Sequence, residues 1–215
     1  MNNAITASDN PRRLRSDCEG SALLEFTLFV GAFFTVLFGI IDFTFAFYQW
    51  NAATKAVQLG ARLAAVSHPV ASDLKVDNWD VAGYASGDAV ALADGFTHVC
   101  SGASETCSDG TYDATAMETI VFGRGNTECN GTPPNIGMCN IFWAIGPENV
   151  RVTYEYTGLG YAGRPTGPVP TIKVEVVGIP FQFNFLGGLL GLDDIEIPGL
   201  ASTITGEDLS QTFGG

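Results

Sequence analysis

The sequence predicts an α+β fold, with one long N-terminal helix laid on a C-terminal antiparallel β-sheet. Three observations predict it. An apolar run extends from Ala22 to Tyr48 with only two charges, Glu25 and Asp42. Small and helix-favouring residues then continue a helical periodicity to Val66. From residue 149 onward, β-branched and aromatic residues alternate with polar ones, the pattern of strands with one buried face.

The apolar run is read as a membrane span. Its 27 residues would extend ~40 Å as a helix, enough to cross a ~30 Å hydrocarbon core with tilt. Arg12, Arg13 and Arg15 precede it, whereas only Lys55 and Arg62 follow within twenty residues. The positive-inside rule therefore places the N-terminus in the cytoplasm and the remainder outside. A cleavable secretory signal would have a shorter apolar region and an A-x-A-like site. FAFYQWNAATK offers no such site, and Cys18 lies before the apolar run, which is the wrong side for a lipoprotein.

Past Tyr48, Ala53, Ala56, Val57, Gly60, Ala61, Ala64 and Ala65 recur at i, i+3 and i+4 spacings, so the helix turns amphipathic. Pro69 disfavours helix at His68 and sets the stop. The expected element is one helix from about Ala22 to Val66.

Two carboxylates in a span need a reason, because an ionised group at mid-bilayer costs at least ~2.5–3.5 kcal/mol and usually has a partner or a function. Asp42 lies near the outer interface, where snorkelling to headgroups and a specific role are both open readings. Glu25, a few residues into the span, could by itself reach the cytoplasmic interface. Its neighbours favour a role. Gly20-Ser21-Ala22-Leu23-Leu24-Glu25-Phe26 resembles the class III signal cut by prepilin peptidases, with Glu as the fifth residue after Gly. Cleavage between Gly20 and Ser21 would free an amine at Ser21. Glu25 would then pair with the amine of a neighbouring subunit, offsetting the burial of both charges.

The chain resembles the TadE-like family over about residues 12–66. The resemblance rests on Arg12-Arg13-Leu14-Arg15, on Gly20 to Phe26, and on Phe38-Gly39-Ile40-Ile41-Asp42-Phe43. It continues through Asn51-Ala52 and Gly60-Ala61-Arg62-Leu63-Ala64-Ala65, with Pro198-Gly199-Leu200 near the C-terminus as a looser likeness. It implies a pilin-like fold and a pseudopilin or minor pilin of a tight-adherence (Flp) pilus system, structural and not enzymatic. The implied partners are a prepilin peptidase, other pilins and pseudopilins, inner-membrane platform proteins and the lipid bilayer. The implied location is the bacterial inner membrane, single-pass, with a periplasmic C-terminal part that enters the fibre or stays at its base. The organisation read on this basis is a cleaved cytoplasmic leader at 1–20, a span at 21–48 and a helical extension at 49–67. A loop-rich, cysteine-containing insertion follows at 68–148, then an antiparallel β region at 149–215. The insertion is longer than the family pattern provides for.

With Cys18 removed alongside the leader, Cys100, Cys107, Cys129 and Cys139 remain in a compartment where disulfides persist. Three connectivities are possible. The pairs Cys100–Cys107 and Cys129–Cys139 are favoured because each closes a short loop. Zinc is the rival reading, but there is no C-x-x-C, and His68 and His98 lack ligand-like spacing.

Within residues 70–148, a short helix is expected around Ala85–Ala93, and the stretches around Cys107 and Cys129 read as loops. Trp79, Tyr112 and Trp143 are expected mainly as buried anchors, with contact to a partner as the alternative. Val150, Val152, Tyr154 and Tyr156 form one predicted strand face, and Ile172, Val174 and Val176 form a second. Phe181, Phe183 and Phe185 form a third, and a long hairpin loop at Gly158–Pro170 joins the first two. Phe185–Leu192 is too short to span a membrane and reads as a packed loop or a partner-facing patch.

Charge and motifs limit the function further. Beyond Val66 there are 18 acidic and 5 basic residues, which phosphate backbones would repel, so nucleic-acid binding is not expected. No G-x-S-x-G, H-E-x-x-H or phosphate-binding glycine loop occurs, and no cofactor is implied. The competing function is a membrane-anchored periplasmic binding module unrelated to pili, for which the helix is only a tether. A tether needs neither the Gly20 site nor Glu25.

Overall fold

A computed structural model describes residues 18–74, 83–164, 169–185, 187–188, 191, 195–207 and 209. The leader arginines, Trp79 and part of the apolar stretch after Phe185 lie outside the described residues. The chain forms helix α1 (Cys18–Val66), strands β1 (Thr97–Ser101) and β2 (Thr106–Cys107), and helices α2 (Ala114–Phe122) and α3 (Met138–Ile141). Strands β3 (Val150–Leu159), β4 (Val169–Val176) and β5 (Leu200–Thr205) complete it. The strands make one antiparallel sheet in the order β2-β1-β3-β4-β5. The α+β arrangement read from the sequence is the one observed.

The two halves of α1 have different surroundings. Leu23, Phe26, Phe29, Phe33, Ile40 and Phe43 are exposed, whereas Ala53, Ala56, Val57, Ala61, Ala64 and Ala65 are buried. The small residues let the helix lie close against β4, β5, α2 and α3. Gly60 marks a close approach, since a Cβ there would fall 2.4 Å from the sulfur of the fully buried Met138. Ser67, His68 and Pro69 follow the helix, as the proline requires.

The sheet meets the helix through rows of inward side chains. Cys100, Val152, Val174 and Ser202 stand opposite one another, as do His98, Tyr154, Ile172 and Ile204. Strand β3 alternates as expected, with Val150, Val152, Tyr154 and Tyr156 buried and Arg151 and Glu155 exposed. Tyr154 reaches across the core, where its hydroxyl accepts the Val70 N–H at 3.0 Å. That bond joins the middle of the sheet to the chain just after the helix. Burial raises the Tyr154 pKa above the usual tyrosine value.

Four expectations need correction. The stretch around Cys107, read as a loop, holds strand β2, and the loop-rich insertion also supplies β1 and α2. Helix α2 follows from Asp113, whose carboxylate caps the Ala116 N–H at 3.1 Å. It buries Ala116, Met117, Ile120 and Val121 on one face. The helix expected around Ala85–Ala93 does not form, and only a 3₁₀ turn at Leu92–Asp94 lies nearby. Phe181, Phe183 and Phe185 do not lie in a strand. The chain there bends at Asn184 and Phe185, and apart from a bridge at Pro180–Glu196 the backbone groups of Gln182 and the N–H groups of Asn184 and Phe185 bond to side chains of α1. Finally, Trp143 is 65% exposed and so is no buried anchor, while Tyr112 is partly buried against the core.

Replacing Tyr154 with Phe leaves the buried Val70 N–H without an acceptor and should cost about 1–3 kcal/mol. Denaturant unfolding of the full chain in micelles at neutral pH measures the loss. The neutral phenol is the form the core holds, so the Tyr154 contribution is complete below the unfolded value of ~10 and declines as pH rises above it. The Phe variant should lack this part of the alkaline loss.

Candidate functional site

The N-terminal half of α1 carries what a lipid environment requires. α1 is the one helix among the described residues long and apolar enough to cross a membrane, and none of the residues in its apolar window is buried. The threonine hydroxyls on it are satisfied locally. Thr27, Thr35 and Thr44 donate to the carbonyls of Leu24, Gly31 and Ile40 at 2.9, 2.9 and 2.7 Å, so these groups need no water.

Gly20 and Ser21 lie in the first turn of α1. Ser21 and Glu25 share one face four residues apart, and the Ser21 hydroxyl donates to Glu25 Oε1 at 3.3 Å. Glu25 is exposed among apolar residues. Its carboxylate faces outward from the helix surface, where another helix or lipid would meet it.

Asp42 has quite different surroundings. It is 1% exposed, closed off by the chain's own C-terminal region. One carboxylate oxygen accepts the Asn184 N–H at 3.0 Å and the Phe185 N–H at 3.3 Å, and the other accepts the Phe185 N–H at 3.0 Å. Hydrogen bonds from backbone N–H to an ionised acceptor are among the stronger ones, worth about 1.5–3 kcal/mol each. The carboxylate is therefore held within the chain and is not turned out to headgroups.

Gln49, seven residues on and 2% exposed, continues the same stripe. Its side-chain amide takes both backbone groups of Gln182: Nε2 donates to the carbonyl at 2.9 Å, and Oε1 accepts the N–H at 3.0 Å. One turn below Asp42, the Phe38 ring stacks on Phe185 at 4.5 Å and 13°. Phe38, Asp42 and Gln49 thus hold residues 182–185 along one face of the helix. The segment runs antiparallel to α1, so that Phe185 lies nearest the apolar half. These side chains take the backbone bonds that a neighbouring strand would otherwise have made.

Gln49, Gln182 and the Phe38–Phe185 stack escape a reading of the sequence by itself. The available signal is the i, i+7 spacing of two polar residues on a helix that is otherwise apolar or alanine-rich. What they hold is 133 to 147 residues away in the chain and has no local signature.

Four cysteines are joined as Cys100–Cys107 and Cys129–Cys139. The first links directly opposed residues of β1 and β2. The second ties the loop after α2 to α3. No group of three or more His, Cys, Asp or Glu is gathered as a metal site needs, among the described residues. A cleft beside the end of α1 is lined by Ser67, His68, Asp113, Thr115, Thr119 and Arg124, and Asp113 there is engaged in capping α2.

A family model described as TadE-like protein matches residues 20–62, from the first turn of α1 to near its end. The match takes in Gly20, Ser21, Glu25, Asp42 and Gln49. No curated protein and no solved structure matches the chain.

Substituting Asp42 with Ala removes the acceptor for two backbone N–H groups. Amide exchange in the 181–185 peptide, followed by mass spectrometry on the full chain in nanodiscs, should quicken at least about tenfold, the equivalent of ~1.4 kcal/mol of local opening. Unchanged exchange would show that Asp42 does not hold the segment.

Proposed function

We propose that this chain, TadE-like over residues 20–62, is a pseudopilin or minor pilin of a tight-adherence pilus system, with a structural role in assembly. The observation that carries the reading is the Gly20-to-Phe26 pattern at the head of a continuous 49-residue helix whose residues 21–37 are apolar but for Glu25 and a few small polar groups and almost all exposed. A subunit that assembles through its helix needs that stretch bare, with a carboxylate near its start.

The sequence of events is mechanical. The precursor sits in the inner membrane with residues 1–20 in the cytoplasm and the sheet domain in the periplasm. Prepilin peptidase cuts between Gly20 and Ser21. The helix then packs against those of other pilins or platform proteins, and Glu25 meets a neighbour's amine in a dry interface, where such a pair is worth most. Asp42, with Glu25 a candidate for charge pairing in assembly, is engaged with Asn184 and Phe185. In this reading it holds the subunit together, and Glu25 is the carboxylate that acts between subunits.

The N-terminal residue and intact mass of protein purified from membranes test processing. The expected start is Ser21, lost when the cognate peptidase is deleted. A start at Met1 with the span intact would leave an anchored periplasmic module as the reading.

Replacement of Glu25 with Ala should spare membrane insertion and processing, yet lower the subunit's recovery with assembled pili or its partner pilins severalfold. Wild-type piliation and co-purification in that variant would remove the pairing role.

A further inference from the structure

Phe185 lies at a level of α1 that belongs to the bilayer. From Ser21 to Asp42 the helix rises ~32 Å, close to the ~30 Å of a hydrocarbon core. If Ser21 marks the inner boundary, Asp42 marks the outer one. Phe38 then lies ~6 Å inside it, and the Phe185 ring is stacked on Phe38.

The surroundings of that ring suit lipid. Phe185 remains 47% exposed despite the stack. Its open face continues the bare surface of Phe34, Leu37 and Ile41 on the helix, and Phe34, Phe38 and Phe185 form a run of stacked rings. The sequence from Phe181 to Leu192 contains no charged residue, and Asp193 and Asp194 follow at once. Apolar side chains bounded by charge are the composition of a segment that rests in the headgroup–acyl boundary.

Backbone chemistry favours lipid over a second protein surface. A non-helical chain at membrane depth is tolerated only where its N–H and C=O groups are satisfied by protein. Here Asp42 takes the N–H groups of Asn184 and Phe185, and Gln49 takes both backbone groups of Gln182. A segment covered by another subunit's polar surface would not need its backbone bonds supplied by the helix it lies on.

We propose that the loop carrying Phe185 is a second membrane contact, its Phe185 ring inserted into the outer leaflet of a phospholipid bilayer beside α1. The helix and this loop together fix the height and tilt of the sheet domain over the membrane. The proposal rests on the single-pass reading of α1 but not on any role in a pilus.

The test uses the unaltered full chain in vesicles of phosphatidylethanolamine and phosphatidylglycerol that contain a phospholipid with a diazirine on its acyl chain near the headgroup. After irradiation, adducts are mapped by peptide mass spectrometry. Peptides of α1 between Ser21 and Asp42 and the peptide containing Phe183 and Phe185 should both be labelled, severalfold above peptides of β3. Labelled helix peptides with the Phe183–Phe185 peptide at the β3 level would overturn the loop contact, whether water or a second copy covers it. Absence of label from the helix peptides as well would overturn the span itself, and with it the proposal, while leaving the processing site at Gly20 to be judged separately.

Discussion

One helix in this protein meets two different environments, and the Asp42 carboxylate is fixed where they join. Below it, α1 is mostly exposed and, Glu25 apart, carries no charge, with Phe185 covering only Phe38; above it, one alanine-rich face is buried under the sheet. A charge at that boundary is costly unless its lone pairs are taken up. Two backbone N–H groups of residues 184 and 185 take them up. The result is more than a neutralised liability. The chain that supplies those N–H groups follows β4, so the folded part is tied back to the helix at Asp42.

The upper half of α1 adds a second constraint, which is closeness. Ala53, Ala56, Ala61, Ala64 and Ala65 keep the helix surface low, and Gly60 lets Met138 approach within what would be a clash for any side chain. Against that surface, β4 and β5 on one side and α2 and α3 on the other make a single hydrophobic core. Tyr154 joins the two layers with a buried hydrogen bond to Val70. Each disulfide joins a core cysteine, Cys100 or Cys139, to a less buried partner, Cys107 in the short edge strand or Cys129 in the loop between α2 and α3.

These features suit a subunit that transmits position. A helix joined to its domain by a flexible hinge leaves that domain free to swing. Here Gln49, Asp42 and Phe38 grip the C-terminal segment over about three turns of helix, so a displacement of the helix along its axis is carried to the sheet. In the proposed assembly, Glu25 at the other end of the same helix would sense a neighbouring subunit, with no intervening joint to absorb the movement.

The sequence by itself determined the long helix, its apolar lower half, its stop before Pro69, the two central strands and the TadE-like likeness of its first third. Each rests on local periodicity or on a compact motif. The same holds for the Gly20-to-Glu25 pattern at the head of the helix. Tertiary structure alone decided the rest. Strand β1 has five residues and β2 two, too few to show a clear alternation, and they exist because β3 offers an edge to β1 and β1 offers one to β2. Helix α2 was legible in principle, from Asp113 followed by Ala116, Met117, Ile120 and Val121, but its short pattern is obscured by the glycine- and serine-rich sequence around it. The Phe181–Phe185 alternation pointed to a strand, yet Gln49 and Asp42 compete for its backbone groups and take them. Asp42 stood out in the sequence as a charge in need of a partner. Which partner it found depended on a segment some 140 residues away, brought there by the packing of the sheet on the helix, and no local pattern encodes a distance of that kind.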